Sequence, residues 1–188
     1  KDVFSGLKLD NGEPIYTQEY IQSLRDADKK HPDKLKIIAQ RGGQERMLSI
    51  DADIKIVGGS RGGSKSFSSL MEVLKDIKNP DFHATILRNE KDDLQSLVTD
   101  SYKLFSQFGT YNKSQNDMTW NFDNGGWLKF SYYAGAYQDF KTRFQGRQYA
   151  YVCIDEGTQC PYKKFKYLLT NNRNAAHIRN RFWITCNP

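Results

Sequence analysis

Hydrophobic and polar positions recur along the chain with two different periods, and each change of period marks an element boundary. In SFSSLMEVLKDI (66–77), Leu70, Val73, Leu74 and Ile77 fall on one helical face, and Asn79-Pro80 stops the pattern. KDDLQSLVTDSYKLFSQF (91–108) repeats that spacing through Leu94, Leu97, Val98, Phe105 and Phe108, which predicts a second amphipathic helix. PYKKFKYLLTN (161–171) predicts a third, opening on Pro161 at its first helical position and burying Phe165, Leu168 and Leu169. Between these lie short apolar runs, DIKIVGG (53–59), HATILR (83–88), YAYVCID (149–155) and RFWITCNP (181–188), which read as buried strands. Alternating aromatics on both sides of Asp123-Asn124-Gly125-Gly126 predict a hairpin spanning 118–132. Strands that alternate with helices predict an α/β fold, a mostly parallel sheet sandwiched by helices, with an inserted β-hairpin.

Upstream the pattern weakens. Residues 1–16 carry Gly6, Gly12 and Pro14 without periodicity, and Thr17 to Lys30 places Tyr20, Ile21 and Leu24 at helical spacing behind a threonine cap. The expected organisation is an N-terminal arm and helix over 1–40 and one core over 41–188, uninterrupted by repeats or low-complexity tracts.

Composition narrows the class. With 38% hydrophobic and 27% charged residues in 188, the chain has the make-up of a globular domain rather than a disordered tail. Lys plus Arg number 28 against 22 for Asp plus Glu, a net charge of +6, and a mild basic excess suits phosphate-bearing partners. No apolar run approaches the roughly 20 residues a membrane span needs, and the start KDVFSGLKLDNG lacks a signal core, so the expectation is a soluble intracellular protein. Cys153, Cys160 and Cys186 form no CxxC pair, which excludes a zinc ribbon and a disulfide framework and leaves reduced packing residues.

The candidate chemistry begins in the glycine-rich loop. Gly59-Ser60-Arg61-Gly62-Gly63-Ser64-Lys65-Ser66 follows the phosphate-binding pattern GxxxxGK[ST] except at Ser64, where a second glycine belongs. The pattern works because successive backbone N–H groups curl round an anion at a helix N-terminus, a lysine reaches the terminal phosphates and the next hydroxyl ligates Mg²⁺. The strand before it and the helix after it are the right context, and a negative φ at Ser64 would accommodate its side chain. A second element, Tyr151-Val152-Cys153-Ile154-Asp155-Glu156, delivers two adjacent carboxylates at the C-terminal end of a strand, the edge where open α/β sheets bind ligands. Asp155 is suited to the Mg²⁺ shell and Glu156 to polarising the attacking water. The third, Ile184-Thr185-Cys186-Asn187-Pro188, is either a strand tip that senses the γ-phosphate or an ordinary strand-to-turn exit. Arg143 and Arg147 lie in FKTRFQGRQYAYVCIDE, a loop-like stretch before the acidic strand from which an arginine could face an adjacent subunit's nucleotide; solvated loop charge is the plainer reading.

Together these elements resemble the ATPase domain of the large terminase subunit of tailed bacteriophages, over about residues 40–188. The resemblance is carried by Arg61 four residues before Lys65, by YVCIDEGTQCPYKKFKYLL, by the closing TCNP, and by ILRNEKDDLQSLV (86–98). It implies a P-loop NTPase that couples Mg-ATP hydrolysis to translocation of double-stranded DNA into the procapsid. Gly59 to Ser64 and Lys65 would hold the phosphates, Ser66 and Asp155 the Mg²⁺, and Glu156 the lytic water. Gln44 would read adenine, Arg61 would act in cis on the γ-phosphate or brace the sheet edge, and Thr185, Cys186 and Asn187 would couple hydrolysis to movement. Implied partners are DNA gripped through its backbone, a portal protein, a small terminase subunit and further copies in a ring, in the host cytoplasm. The family's ATPase domain continues past the coupling motif into a nuclease domain, so a chain ending at Pro188 is expected to hydrolyse ATP weakly on its own. A helicase-like DNA-dependent ATPase and a non-hydrolysing nucleotide-binding assembly module are the competing readings.

Overall fold

The computed structural model describes residues 37, 39, 40, 42–59, 64–112, 114, 117–175 and 177–187. The chain divides into two units, Lys1–Ser49 and Ile50–Pro188. The first contains helix α1 (Gly43–Ser49), in which Gln44 Oε1 accepts a 2.7 Å hydrogen bond from the Gln40 backbone N–H. The helix expected within 17–30 lies outside the described residues.

The second unit runs β1 (Ile54–Val57), α2 (Lys65–Val73), β2 (His83–Arg88), α3 (Gln95–Phe105), β3 (Gly109–Asn112), β4 (Thr119–Phe122), β5 (Trp127–Tyr132), α4 (Tyr137–Phe144), β6 (Tyr151–Ile154), α5 (Tyr162–Asn171) and β7 (Arg181–Thr185). Its strands form one sheet in the order β1-β7-β6-β2-β5-β4-β3. Neighbours from β1 to β5 pair in parallel, and β5-β4-β3 continue as an antiparallel meander. The expected α/β architecture is therefore present, with the hairpin extending the sheet rather than standing apart from it.

Side-chain alternation assigns the two faces. Val152, Ile154, Leu87 and Phe182 join Phe140 and Phe144 of α4 and Leu168 of α5 in one buried cluster. Tyr151 points the other way, its hydroxyl donating to the Ser69 carbonyl of α2 at 2.9 Å, and its ring meets Trp183 edge-on. On this α2 side Lys55 lies with its ammonium 4.8 Å from the Trp183 ring centroid and 3.7 Å from Glu72, which also pairs with Arg181 at 2.8 Å. Burial lowers the Lys55 pKa to about 8 against the opposing pull of Glu72. Ile54 and Ile56 point to the opposite side of β1 and are exposed.

Several local expectations need correction. Helix α2 ends at Val73, four residues before Ile77, and the chain continues only as turns. Pro161 is the residue preceding α5, and Pro161 O accepts from the backbone N–H groups of Lys164 and Phe165. The stretch around Arg143 is not a loop, because Tyr137, Phe140 and Phe144 build α4 by burying one face. Strand β3 had no apolar signature and forms through its pairing with β4.

Candidate functional site

The alternation that builds the faces also builds the site. Asp155 follows β6 in phase with Tyr151 and Cys153, so it emerges on the α2 side of the sheet, fully buried. Thr185 ends β7 in phase with Trp183, and Arg88 ends β2 in phase with Ile86. All three therefore reach one point at the C-terminal edge, where α2 begins.

There Ser66, in the first turn of α2, donates its hydroxyl to Asp155 at 3.0 Å from Oδ1 and 2.9 Å from Oδ2, although 89 residues separate the two in sequence. Thr185 Oγ1 donates to Asp155 Oδ1 in a short hydrogen bond and accepts from the Glu156 backbone N–H at 3.1 Å. Arg88 grips Asp155 Oδ2 through Nε at 2.8 Å and Nη2 at 2.7 Å. Lys65 Nζ donates to the Gly59 carbonyl at 2.8 Å, folding the lysine back over the start of its own loop. A cleft of about 470 Å³ opens over these groups, lined among others by Ser64, Lys65, Ser66, Arg88, Glu156 and Asn187.

Glu156 turns away from the strand. Its backbone is left-handed at φ 59°, its carbonyl accepts from the Tyr133 hydroxyl at 3.1 Å, and its N–H is held by Thr185. Burial, reinforced by Cys160 and the Glu156 and Asp155 carboxylates, drives the Tyr133 pKa well above its usual value, so the phenol stays a donor. With both backbone groups fixed, the carboxylate faces the cleft without a hydrogen bond or ion pair among the described residues. Gly157 makes the turn possible, since a Cβ there would lie 2.4 Å from Ile184 Cγ2.

The remaining sequence candidates fare differently. Ser60, Arg61, Gly62 and Gly63 lie outside the described residues. Ser64 has a positive φ of 56°, not the negative value that would suit its side chain, so it fills the left-handed conformation the missing glycine would adopt. Its carbonyl accepts from the Ser68 N–H at 2.8 Å and the Ser68 hydroxyl at 2.9 Å. Cys186 binds β1, its backbone N–H donating to the Val57 carbonyl at 2.9 Å. Arg143 and Arg147 stand apart, lining a second cleft with Lys91, Met118 and Lys129. Arg143 packs 3.8 Å above the Tyr132 ring and donates to the Tyr132 carbonyl at 2.6 Å, whereas Arg147 is exposed. Gln44 belongs to the first unit. The residue left without a role in the sequence is Arg88; its signals are a cation closing a largely apolar strand and the likeness of ILRNEKDDLQSLV to the family's arginine-bearing strand and helix. No cluster of three metal-ligating His, Cys, Asp or Glu side chains occurs among the described residues, and none of their helices is long and apolar enough to cross a membrane.

A parallel sheet in which β7 separates the loop-bearing β1 from the acidic β6, with a helix springing from the loop, defines the P-loop NTPase-like class of α/β domains. Residues 56–188 match the family described as terminase large subunit, T4likevirus-type, N-terminal, and the chain belongs to that family. Among solved structures it resembles the large terminase of a thermophilic bacteriophage, with 18% identity and a TM-score of 0.60 over 78% of this chain and 38% of that one. A second structure of the same phage terminase, described as in complex with ADP, aligns with a TM-score of 0.53 over 71% of this chain and 33% of that one at 18% identity. The large terminase ATPase domain of Thermus phage P74-26 aligns over 92% of this chain and 69% of that one, with 12% identity and a TM-score of 0.58. The chain thus spans little more than a third of the full thermophilic-phage terminase it matches. No curated protein gives a significant match.

Proposed function

We propose that this chain is the nucleotide-hydrolysing part of a viral genome-packaging motor, in which Mg-ATP hydrolysis drives double-stranded DNA into a procapsid. The observation that carries the reading is the hydrogen bond between Ser66, at the start of the helix after the glycine loop, and Asp155, at the tip of the acidic strand. That pairing brings together the two hard oxygen donors an Mg²⁺ ion bound to nucleotide phosphates requires. The donor set fits: a serine hydroxyl offers direct ligation, and Asp155, whose two oxygens already accept from Ser66, Thr185 and Arg88, suits a contact through metal-bound water. When bound, the metal would neutralise phosphate charge. Family membership and the likeness to terminase structures, one described with ADP, support the same assignment.

Within that reading Lys65 and the loop from Gly59 to Ser64 hold the phosphates, with Arg61 as a cis cation. Glu156 takes the proton of the attacking water, being the carboxylate that faces the cleft on a fixed backbone. Thr185 touches both acidic residues and so connects the chemistry to β7, and Asn187 follows at the cleft wall. Gln44 is assigned to the adenine. Of the two arginines before β6, Arg147 is the better candidate to reach a neighbouring subunit, because Arg143 is held by Tyr132. DNA, a portal protein, a small terminase subunit and further copies of the chain are the proposed partners, in the host cytoplasm.

In the whole protein, Glu156→Gln should keep Mg-ATP binding and lose about 10²–10⁴ in turnover, the usual worth of a positioned base. Lys65→Ala should lose binding itself. Nucleotide titration beside steady-state turnover separates the two, and equal loss of binding in both variants would sink the role assignment.

A further inference from the structure

Arg88 is placed as no surface arginine is. Every nitrogen of its guanidinium has a partner: Nε donates to Asp155 Oδ2, Nη2 forms an ion pair with the same oxygen and lies 3.4 Å from Ser66 Oγ, and Nη1 donates to the Asp93 carbonyl at 2.7 Å and Ser96 Oγ at 3.0 Å. Its side chain is 14% exposed and its partner carboxylate fully buried. The guanidinium therefore holds the same two side chains, Ser66 and Asp155, that the proposed function assigns to Mg²⁺. Two cations drawn to one buried carboxylate oppose each other, and the opposition is reciprocal: whatever weakens one strengthens the other.

We propose that Arg88 is a positioning residue, a built-in counter-ion of Asp155 that sets how much Mg²⁺ nucleotide binding requires and passes the state of the metal seat to the start of α3. The inference rests on the nucleotide reading above. Through Nη1 the same guanidinium ties down the turn Asp92–Leu94 and the first turn of α3. A shift of Arg88 away from Asp155 would therefore loosen or reorient contacts at Asp93 and Ser96, giving the site a mechanical outlet separate from β7. An arginine suits this role because its planar fork can serve carboxylate and carbonyl at once, which a lysine's point charge cannot.

The test is binding of a fluorescent ADP to the 188-residue chain as Mg²⁺ is varied, in the parent and in Arg88→Gln. Removal of the competing cation should lower the Mg²⁺ midpoint about tenfold, within the ordinary range of coupling between sites; an unchanged or raised midpoint overturns the proposal. Melting without nucleotide adds a readout that a purely structural role would not move. Mg²⁺ alone should raise the melting temperature of Arg88→Gln more than that of the parent, and an equal response in both overturns the proposal. Should Arg88→Gln fail to fold, Arg88→Met, which also removes the charge, carries the same two measurements, with a lowered midpoint expected and an unchanged one fatal. Absence of ADP binding by the parent at any Mg²⁺ concentration would instead defeat the nucleotide reading, leaving the melting contrast to decide on Arg88.

Discussion

Ser64 and Glu156 both line the cleft and share one backbone problem, left-handed φ values of 56° and 59°. For a residue with a Cβ this conformation costs about 1–2 kcal/mol. Ser64→Gly should therefore raise the unfolding free energy by about 0.5–1 kcal/mol, after allowing for the greater freedom of glycine in the unfolded chain. Ser64→Ala keeps the Cβ and should change it by less than about 0.5 kcal/mol. Urea midpoints at constant slope measure both, and equal stability of the two variants would show that Ser64 carries no strain. Thr185 presents the opposite case, a residue whose worth lies in two hydrogen bonds. Thr185→Val conserves its shape yet leaves the Glu156 N–H and one Asp155 oxygen each short of a partner, for an expected cost of about 1–3 kcal/mol. The same substitution frees the turn that aims Glu156, so turnover in the whole protein should fall further than nucleotide affinity.

Between elements, one contact that ties α3 to the antiparallel meander is a buried hydrogen bond from Trp120 Nε1 to Ser101 Oγ, 2.8 Å long, framed by Phe105 and Tyr102. Ser101→Ala strands the indole N–H in an apolar cluster and should cost about 1–3 kcal/mol, read as a lowered denaturation midpoint. Gly109→Ala tests the same joint from the strand side. A Cβ at Gly109 would lie 2.2 Å from the Asn121 carbonyl oxygen, so β3 must separate from β4 or the backbone must shift. The strands whose neighbours all come from within their own sheet core, β2, β6 and β7, were legible as apolar runs because burial on both faces leaves few polar positions to interrupt them. β3 (GTYN) was not, since its edge position asks nothing apolar of it, and α4 was hidden by the polar residues between Tyr137, Phe140 and Phe144. At the site, Lys65, Ser66, Asp155 and Glu156 could be read because loop chemistry and strand-end carboxylates leave local patterns. The role of Arg88 could not, because its partner lies 67 residues away and only strand order makes them neighbours. Nor could the left-handed turn at Glu156, which depends on Gly157 slipping beneath Ile184.

Across the whole molecule, charge is buried where a reading of β1 would place apolar side chains. Lys55 is 4% exposed and Ile56 is 71% exposed, because α2 covers the side of β1 that Lys55 faces. Its pKa, lowered from 10.5 to about 8, fixes the sign of its contribution. Between those two values the unfolded chain binds the proton that the folded one has released, so this lysine makes stability rise with pH across that window. Buried Cys153 and Tyr151, whose pKa values burial raises, oppose it at the alkaline end. The difference between the parent and Lys55→Met isolates the lysine: the parent should gain on the variant from about pH 8 to about pH 10, and a flat difference would refute the assignment. That lysine also lies over the Trp183 ring, while Trp120 and Trp127 belong to the far, antiparallel side of the sheet. A positive charge above an indole shifts the energy of its excited state, so loss of that charge near pH 8 should alter the emission of one tryptophan against a steady background from the other two. The chain thus carries its own optical indicator, a fluorescent report on the ionisation of a single buried amine that needs no attached dye.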